Sequence, residues 1–102
     1  MNWKEISEEY PNAWKEFIQY DPESKVTALL YHRELYSFFD ELNIDVEVRV
    51  SRKRGAKKAN FIYVVRGRFS IVFDSRDKAE YAAFETAFEM LECEIKGIEF
   101  LS

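Results

Sequence analysis

The chain has 102 residues, is 47% hydrophobic and 17% aromatic, and carries a formal net charge of −4. This length accommodates one domain with its own core, and so many aromatic residues exclude a disordered chain. The single cysteine, Cys93, excludes an internal disulfide, and the lack of an apolar leader or of a run near the ~18 residues of a membrane span predicts a cytoplasmic protein.

The first twenty residues have a helical pattern. Met1–Tyr10 is acidic and places its apolar residues at helical spacing. Pro11 suits a first helical turn, because the N–H that proline lacks needs no partner there. Asn12–Tyr20 then predicts a short amphipathic helix. Its apolar stripe consists of Trp14, Phe17 and Ile18. We expect this stripe to pack on the domain's own core, with a partner-binding helix as the alternative.

A second, longer helix is predicted from Pro22 to about Leu42, with Asp21 as its cap and Asn43 as its end. Its apolar residues recur at steps of three and four, which gives the helix one buried face. That face consists of Ala28, Tyr31, Leu35, Phe38 and Leu42.

From Ile44 onward the pattern changes to the alternating period of β-strands. Gly67 is expected to adopt a positive φ in a tight turn, so the strands should form an antiparallel meander. Phe69, Ile71 and Phe73 are expected to share one face of the third strand. The predicted strands are Ile44–Ser51, Asn60–Arg66 and Phe69–Asp74, and a basic loop, Arg52–Lys58, joins the first two.

The second predicted strand is apolar on both faces. If Tyr63 and Val65 face the core, then Ile62 and Val64 face the opposite side, where Val72 is expected to join them. Such a face needs a cover. The N-terminal helix is one candidate for this cover, and a second copy of the chain is the other.

The last predicted helix begins after Ser75, which is expected to cap it, and ends at Gly97. Its two apolar stripes are Ala79, Ala83, Ala87 and Met90, and Phe84, Phe88, Leu91 and Ile95. A solvated acidic face is expected from Glu80, Glu85, Glu89 and Glu92. The elements together predict a single α+β domain with an α-β-β-β-α core, in which a three-stranded antiparallel meander packs on two long helices. Residues 1–21 would form an N-terminal helical extension, residues 22–96 the core, and residues 97–102 a tail.

The order of elements from Ala28 to Leu91 resembles that of the double-stranded-RNA-binding domain. That family opens its last helix with Lys-Lys-x-Ala-Lys and continues with Ala-Ala-x-x-Ala-Leu. From Ser75, this chain reads Ser-Arg-Asp-Lys-Ala-Glu-Tyr-Ala-Ala-Phe-Glu-Thr-Ala-Phe. The packing positions that match are Ala79, Ala82, Ala83, Ala87 and Phe88.

The resemblance implies two contact regions for an RNA duplex, the start of the last helix and the loop between the first two strands. Arg76 stands at the first lysine position of the helix motif, whereas Asp77 and Glu80 stand at the other two and would repel phosphate. The loop lacks the family's Gly-Pro-x-His element and matches by charge alone. The resemblance therefore supports the fold more than the function. In general style the chain also resembles short proteins of bacterial and prophage genomes, which implies no particular activity.

The basic residues are concentrated between Val48 and Phe73. This stretch holds eight of the 15 basic residues and none of the 19 acidic ones, so its charge is +8 and that of the remainder is −12. These cations could contact a phosphate backbone, contact an acidic protein face, or only balance the acidic remainder. The candidate contact residues are Arg49, Arg52, Lys53, Arg54, Lys57, Lys58, Arg66, Arg68 and Arg76.

We predict a small non-enzymatic interaction module that acts through protein contacts. The general resemblance to prophage proteins implies a phage or mobile-element origin. Its partner would be another protein, with a homodimer as one form. The alternative is a module that binds double-stranded RNA or DNA through the basic loop. His32 and Cys93 fall on different predicted helices and form no nucleophile pair. The residues indicate no metal site and no Gly-rich phosphate loop, so no cofactor, small-molecule ligand or membrane partner is predicted.

Overall fold

The computed structural model describes residues 3–20, 28–51 and 59–100, with side chains for all of these except Trp3 and residues 28–32. The predicted helix start at Asp21 and Pro22 lies outside the described residues, as do the basic loop Arg52–Lys58 and the side chain of His32.

The described chain has an α+β fold, as predicted, with helices and a three-stranded sheet. Pro11 is the first residue of the second helix, as its missing N–H favours. The elements are α1 (Trp3–Glu9), α2 (Pro11–Tyr20), α3 (Ala28–Glu41), β1 (Val46–Ser51), β2 (Asn60–Val65), β3 (Arg68–Phe69) and α4 (Arg76–Lys96).

The three strands form one antiparallel sheet in the order β1-β2-β3, which confirms the predicted meander. β1 pairs with β2 along its whole length, with Val46 opposite Val65. A two-residue turn joins β2 to β3, and its residues Arg66 and Gly67 have φ values of 49° and 78°. Positive φ at both positions is the geometry of a type I′ hairpin turn, so the role predicted for Gly67 is confirmed.

Both long helices lie on one side of the sheet. α4 contacts β1 and β2, α3 contacts β1, and Phe39 of α3 packs between the rings of α4 in the same core. Val48, Tyr63 and Val65 face this core. Residues directly opposite each other on neighbouring strands share a face, so the alternate residues lie on the side away from the helices. We call that side the open face; it consists of Glu47, Arg49, Ser51, Asn60, Ile62, Val64 and Phe69.

A β-bulge interrupts the third strand. Phe69 pairs with Val64 and Phe73 pairs with Phe61, so one more residue separates the two partners on the third strand than on β2. Side chains change face at every residue, and the extra residue therefore reverses the alternation. Phe73 stacks on the core-facing ring of Tyr63 with 6.1 Å between centroids. The prediction that a continuous third strand keeps Phe69 and Phe73 on one face is therefore wrong.

Ser70 supports this bulge. Its hydroxyl accepts a hydrogen bond from the backbone N–H of Tyr63 at 2.8 Å and donates to the carbonyl of Ile71 at 2.7 Å. The Tyr63 N–H thus keeps a partner where the backbone ladder is interrupted. Beyond Ser70, Ile71 and Val72 stand at the edge of the sheet with 78% and 56% of their surface exposed.

The N-terminal helices pack against other helices and not on the open face. The ring of Phe17 is fully buried, 5.4 Å from Phe38 of α3 and 6.3 Å from Phe88 of α4. Trp14 lies 5.7 Å from the same Phe88 ring. The stripe of α2 therefore packs on the domain's own core, as expected, and the N-terminal helix is not the cover proposed for the second sheet face.

Glu92 of α4 ties α2 to the rest of the fold. Its Oε1 accepts hydrogen bonds from the backbone N–H groups of Asn12 at 2.8 Å and Ala13 at 3.0 Å, and its Oε2 accepts one from Asn12 Nδ2 at 2.6 Å. A helix leaves such N–H groups unpaired at its start, and a carboxylate there also complements the helix dipole. Burial disfavours the charge, but these hydrogen bonds outweigh burial and hold the pKa of Glu92 below its usual value.

The prediction of a solvated acidic face on α4 is therefore wrong for two of its four residues. Glu92 is 4% exposed and Glu80 is 9% exposed. Glu85 and Glu89 are half-buried. Burial, followed by the charges of Glu9, Glu89 and other nearby carboxylates, raises the pKa of Glu85. The N-terminal helices and α3 pack over α4 and bury residues that the helical period alone assigns to the surface.

The helix ends follow the predicted signals. The Ser75 hydroxyl accepts a hydrogen bond from the Lys78 N–H at 3.2 Å and caps α4. Gly97 ends α4 with a φ of 71°, and Asn43 follows α3 with a φ of 59°. Both residues adopt the left-handed conformation that commonly terminates helices.

Candidate functional site

The candidate cations lie at different ends of the sheet. Arg66 and Arg68 flank the turn between β2 and β3, whereas Arg76 begins α4 beside Phe61, at the other end of β2. β2 has six residues, so these ends are roughly 17–20 Å apart. Arg49 lies between them on the open face. The remaining candidates, Arg52, Lys53, Arg54, Lys57 and Lys58, lie outside the described residues.

At the turn, both cations already have partners. Arg66 Nη1 pairs with Glu94 Oε1 at 2.5 Å, and Arg66 Nε donates to the carbonyl of Asn43 at 3.3 Å. The guanidinium of Arg68 lies 5.2 Å from the ring centre of Phe100. The two arginines border a shallow groove of about 210 Å³, also lined by Met90, Cys93, Glu94, Ile98 and Phe100. Because Glu94 adds a negative charge there, the groove is poorly suited to binding an anion.

At the opposite end, Arg76 lies beside the strand ends that flank the basic loop. Its guanidinium is 5.5 Å from the ring centre of Phe61, the second residue of β2. Phe61 in turn pairs with Val50, just before the end of β1. The structure therefore brings Arg76 to the flanks of the loop and separates it from Arg66 and Arg68.

The anion at the third lysine position of the RNA-binding motif points inward. Glu80 is 9% exposed and accepts a hydrogen bond from the Tyr36 hydroxyl at 3.2 Å. Burial, followed by the charge of Glu80, raises the pKa of Tyr36 and keeps its hydroxyl protonated as a donor. The repulsion expected between Glu80 and a bound phosphate is therefore weaker than the sequence suggests, while Asp77 stays exposed.

Arg49 lies across the open face. Arg49 Nε and Nη2 donate to the two carboxylate oxygens of Glu47 at 2.9 and 3.0 Å, and this bonding lowers the pKa of Glu47. The guanidinium also lies 5.8 Å from the ring centre of Phe69. Since Arg49 is on β1 and Phe69 on β3, the side chain spans the central strand, where it helps to explain why Val64 is only 8% exposed.

Next to this arginine, the open face and its edge expose large apolar side chains. Phe69 is 65% exposed, and Ile71 and Val72 follow it in the bulge at 78% and 56%. The sequence predicts apolar residues on a second face, but it does not show that Phe69 pairs with Val64 and so lies on that face, or that a bulge then returns Phe73 to the core side. The alternation of Phe69, Ile71 and Phe73 fits a regular strand equally well, so only the serine at position 70 could have signalled the bulge.

The described residues contain no cluster of side chains suited to a metal ion. Within residues 3–20, 28–51 and 59–100, no three His, Cys, Asp or Glu side chains are placed to hold a metal ion. Cys93 is half-buried and free. In that same part of the chain, each fully buried side-chain nitrogen or oxygen has a hydrogen-bond partner, and no helix has the length and apolar character needed to cross a membrane.

Comparison with models of protein families, with curated proteins and with solved structures finds no match for this chain. The resemblance to the double-stranded-RNA-binding domain and to bacterial and prophage proteins therefore stays a prediction.

Proposed function

We propose that this chain is a small, non-enzymatic interaction module that contacts another protein through the open face of its sheet. The exposure of Phe69, at 65%, is the observation that carries the proposal. Phe69 lies beside Ile71 and Val72, which are also exposed. Contiguous exposed apolar side chains with a polar border are typical of protein-contact surfaces.

The charges around these residues support a protein partner. Glu47 and Arg49 border the apolar residues and neutralise each other, so the face presents no net charge for a phosphate backbone. Aromatic residues and arginine are also enriched in protein interfaces.

The cytoplasm is the proposed compartment, because the lone Cys93 fits a reducing environment. A mobile-element origin is proposed from the general resemblance to prophage proteins.

Site-specific photocrosslinking in the cells that produce the chain tests this function. A photoreactive phenylalanine analogue replaces Phe69 in one variant and Gln19, which is exposed on α2, in a control variant. We expect the analogue at position 69 to form a discrete protein adduct that the control does not form. An absence of adducts at position 69, or the same adducts at both positions, would contradict the proposal.

Nucleic-acid binding is the second candidate, and one observation favours it. Arg76 lies beside the strand ends that flank Arg52–Lys58, and Glu80 of the resembling motif is buried. A basic end of the sheet is thus less opposed by anions than the sequence indicates. Contact with several phosphates would make affinity fall steeply with salt, with a log–log slope of roughly −0.9 per phosphate.

Salt-titrated binding to duplex RNA, duplex DNA and single strands tests this second candidate. If it holds, Arg76→Glu weakens binding and lowers the salt slope by about one phosphate. The matched control is Arg68→Glu, at the other end of the sheet, which should change binding much less. No binding at about 50 mM salt, where phosphate contacts are weakly screened, would rule the candidate out.

A further inference from the structure

We propose that the open face is covered by the open face of a second copy of this chain, around a two-fold axis. This inference rests on the proposed function and names its partner. In a two-fold interface the same patch serves both copies. If one residue of the first copy contacts a second residue of the other copy, the reverse contact also occurs. The patch must therefore be complementary to itself in charge and shape.

The charges of the open face meet this requirement. The face carries one anion, Glu47, and one cation, Arg49, on the same strand and two residues apart. Their side chains are 55% and 49% exposed. Across a two-fold axis, Arg49 of each copy can exchange its own Glu47 for the Glu47 of the second copy. A strongly acidic or strongly basic partner would leave one of these two charges unmatched.

The apolar side chains support contact through the face. Phe69 stands on the open face next to the covered Val64, and Ile71 extends the apolar surface to the edge. The bulge at Ser70 limits strand addition along the β3 edge, because bulges disrupt the ladder that an added strand needs. At the β3 end of the sheet, contact between two open faces is therefore favoured over pairing between two strand edges.

The size of the face sets the expected strength of association. β1 and β2 have six residues each and β3 has two, so the face covers at most about 14 by 20 Å, or roughly 300 Å². A stable interface takes about 800 Å² from each partner. We therefore infer a weak, concentration-dependent dimer and not a permanent one.

Sedimentation equilibrium of the purified full chain tests the inference through complementary charge variants. Glu47→Arg makes both charges of the face positive, and Arg49→Glu makes both negative, so each variant alone should repel its own copies. Mixed in equal amounts, the two variants should associate at least as strongly as the wild type. Only contact between two open faces predicts that two monomeric variants associate on mixing.

The wild type is measured up to about 1 mM, where even a weak complex is populated, and its mass should rise above the 12.2 kDa of one chain. Phe69→Ser should abolish this rise, whereas Ile95→Ser, which replaces an exposed residue of α4, should not. Far-UV circular dichroism checks that the variants fold. A wild type that stays monomeric, or a mixture no heavier than its components, overturns the inference. A monomer that nevertheless forms a protein adduct at position 69 in cells retains the proposed function with a different partner.

Discussion

At the scale of single residues, Glu92 has the clearest structural role. It is 80 residues from Asn12 in the chain, yet its carboxylate accepts both N–H groups at the start of α2. Sequence periodicity placed Glu92 on a solvated face, because the pattern of one helix does not contain the position of another. A long-range cap of this kind leaves no local signature, whereas the cap at Ser75 and the stop at Gly97 are local and were predictable.

Replacement of Glu92 by glutamine should lower the free energy of unfolding by about 1–3 kcal/mol. Glutamine converts one of the two acceptor oxygens into an NH₂ donor, so one of the donors from Asn12 or Ala13 loses its buried partner. Urea unfolding at neutral pH measures the loss. Glu89→Gln, one turn away and half-buried, is the control and should lose much less stability. Equal effects of the two variants would contradict the capping role.

The lowered pKa of Glu92 predicts that the stability of the fold depends on pH. The folded-state pKa of Glu92 lies below its unfolded value of 4.5, so its stabilisation is present above 4.5 and is lost as the pH falls through the lower folded-state pKa. The stability of the wild type and that of Glu92→Gln should therefore converge in acid. Thermal unfolding across the acid range measures this, and a difference that stays constant at all pH values would argue against a charged cap.

At the scale of elements, the sheet was predictable in type and order but not in detail. Alternating valines predicted β1, and Gly67 predicted the turn. The third strand ended early, because a bulge interrupts it after Phe69. Apolar alternation continues through Phe69, Ile71 and Phe73, so the pattern could not show that the backbone gains a residue there. The pairing with Val64 places Phe69 on the open face, and the extra residue beyond it returns Phe73 to the core side.

The bulge should depend on the hydroxyl of Ser70. Ser70→Ala removes the acceptor of the Tyr63 N–H and should lower the free energy of unfolding by about 1–2 kcal/mol. Hydrogen exchange at the Tyr63 amide should accelerate at the same time. Ser37→Ala, in an exposed position of α3, should change stability by less than about 0.5 kcal/mol. Unchanged exchange at Tyr63 would show that the hydroxyl does not support the bulge.

At the scale of the whole molecule, the uneven charge of the sequence does not become one basic surface among the described cations. Arg66 pairs with an acidic residue, and Arg49, Arg68 and Arg76 each lie over an aromatic ring. The sequence showed how many cations lie in the sheet region. It could not show their separation, because strand register and the turn distribute them over two ends and two faces.

The protection of Phe69 from solvent is the measurement that tests the open face as a contact surface most directly. Hydroxyl-radical footprinting compares the oxidation rate of Phe69 in dilute purified protein with its rate inside the producing cells. Tyr20, which is 37% exposed on α2, serves as the internal reference. The proposed function predicts that Phe69 oxidises readily in the dilute protein and several-fold more slowly in cells, relative to Tyr20. An equal ratio in the two conditions would show that nothing covers the open face and would contradict the account.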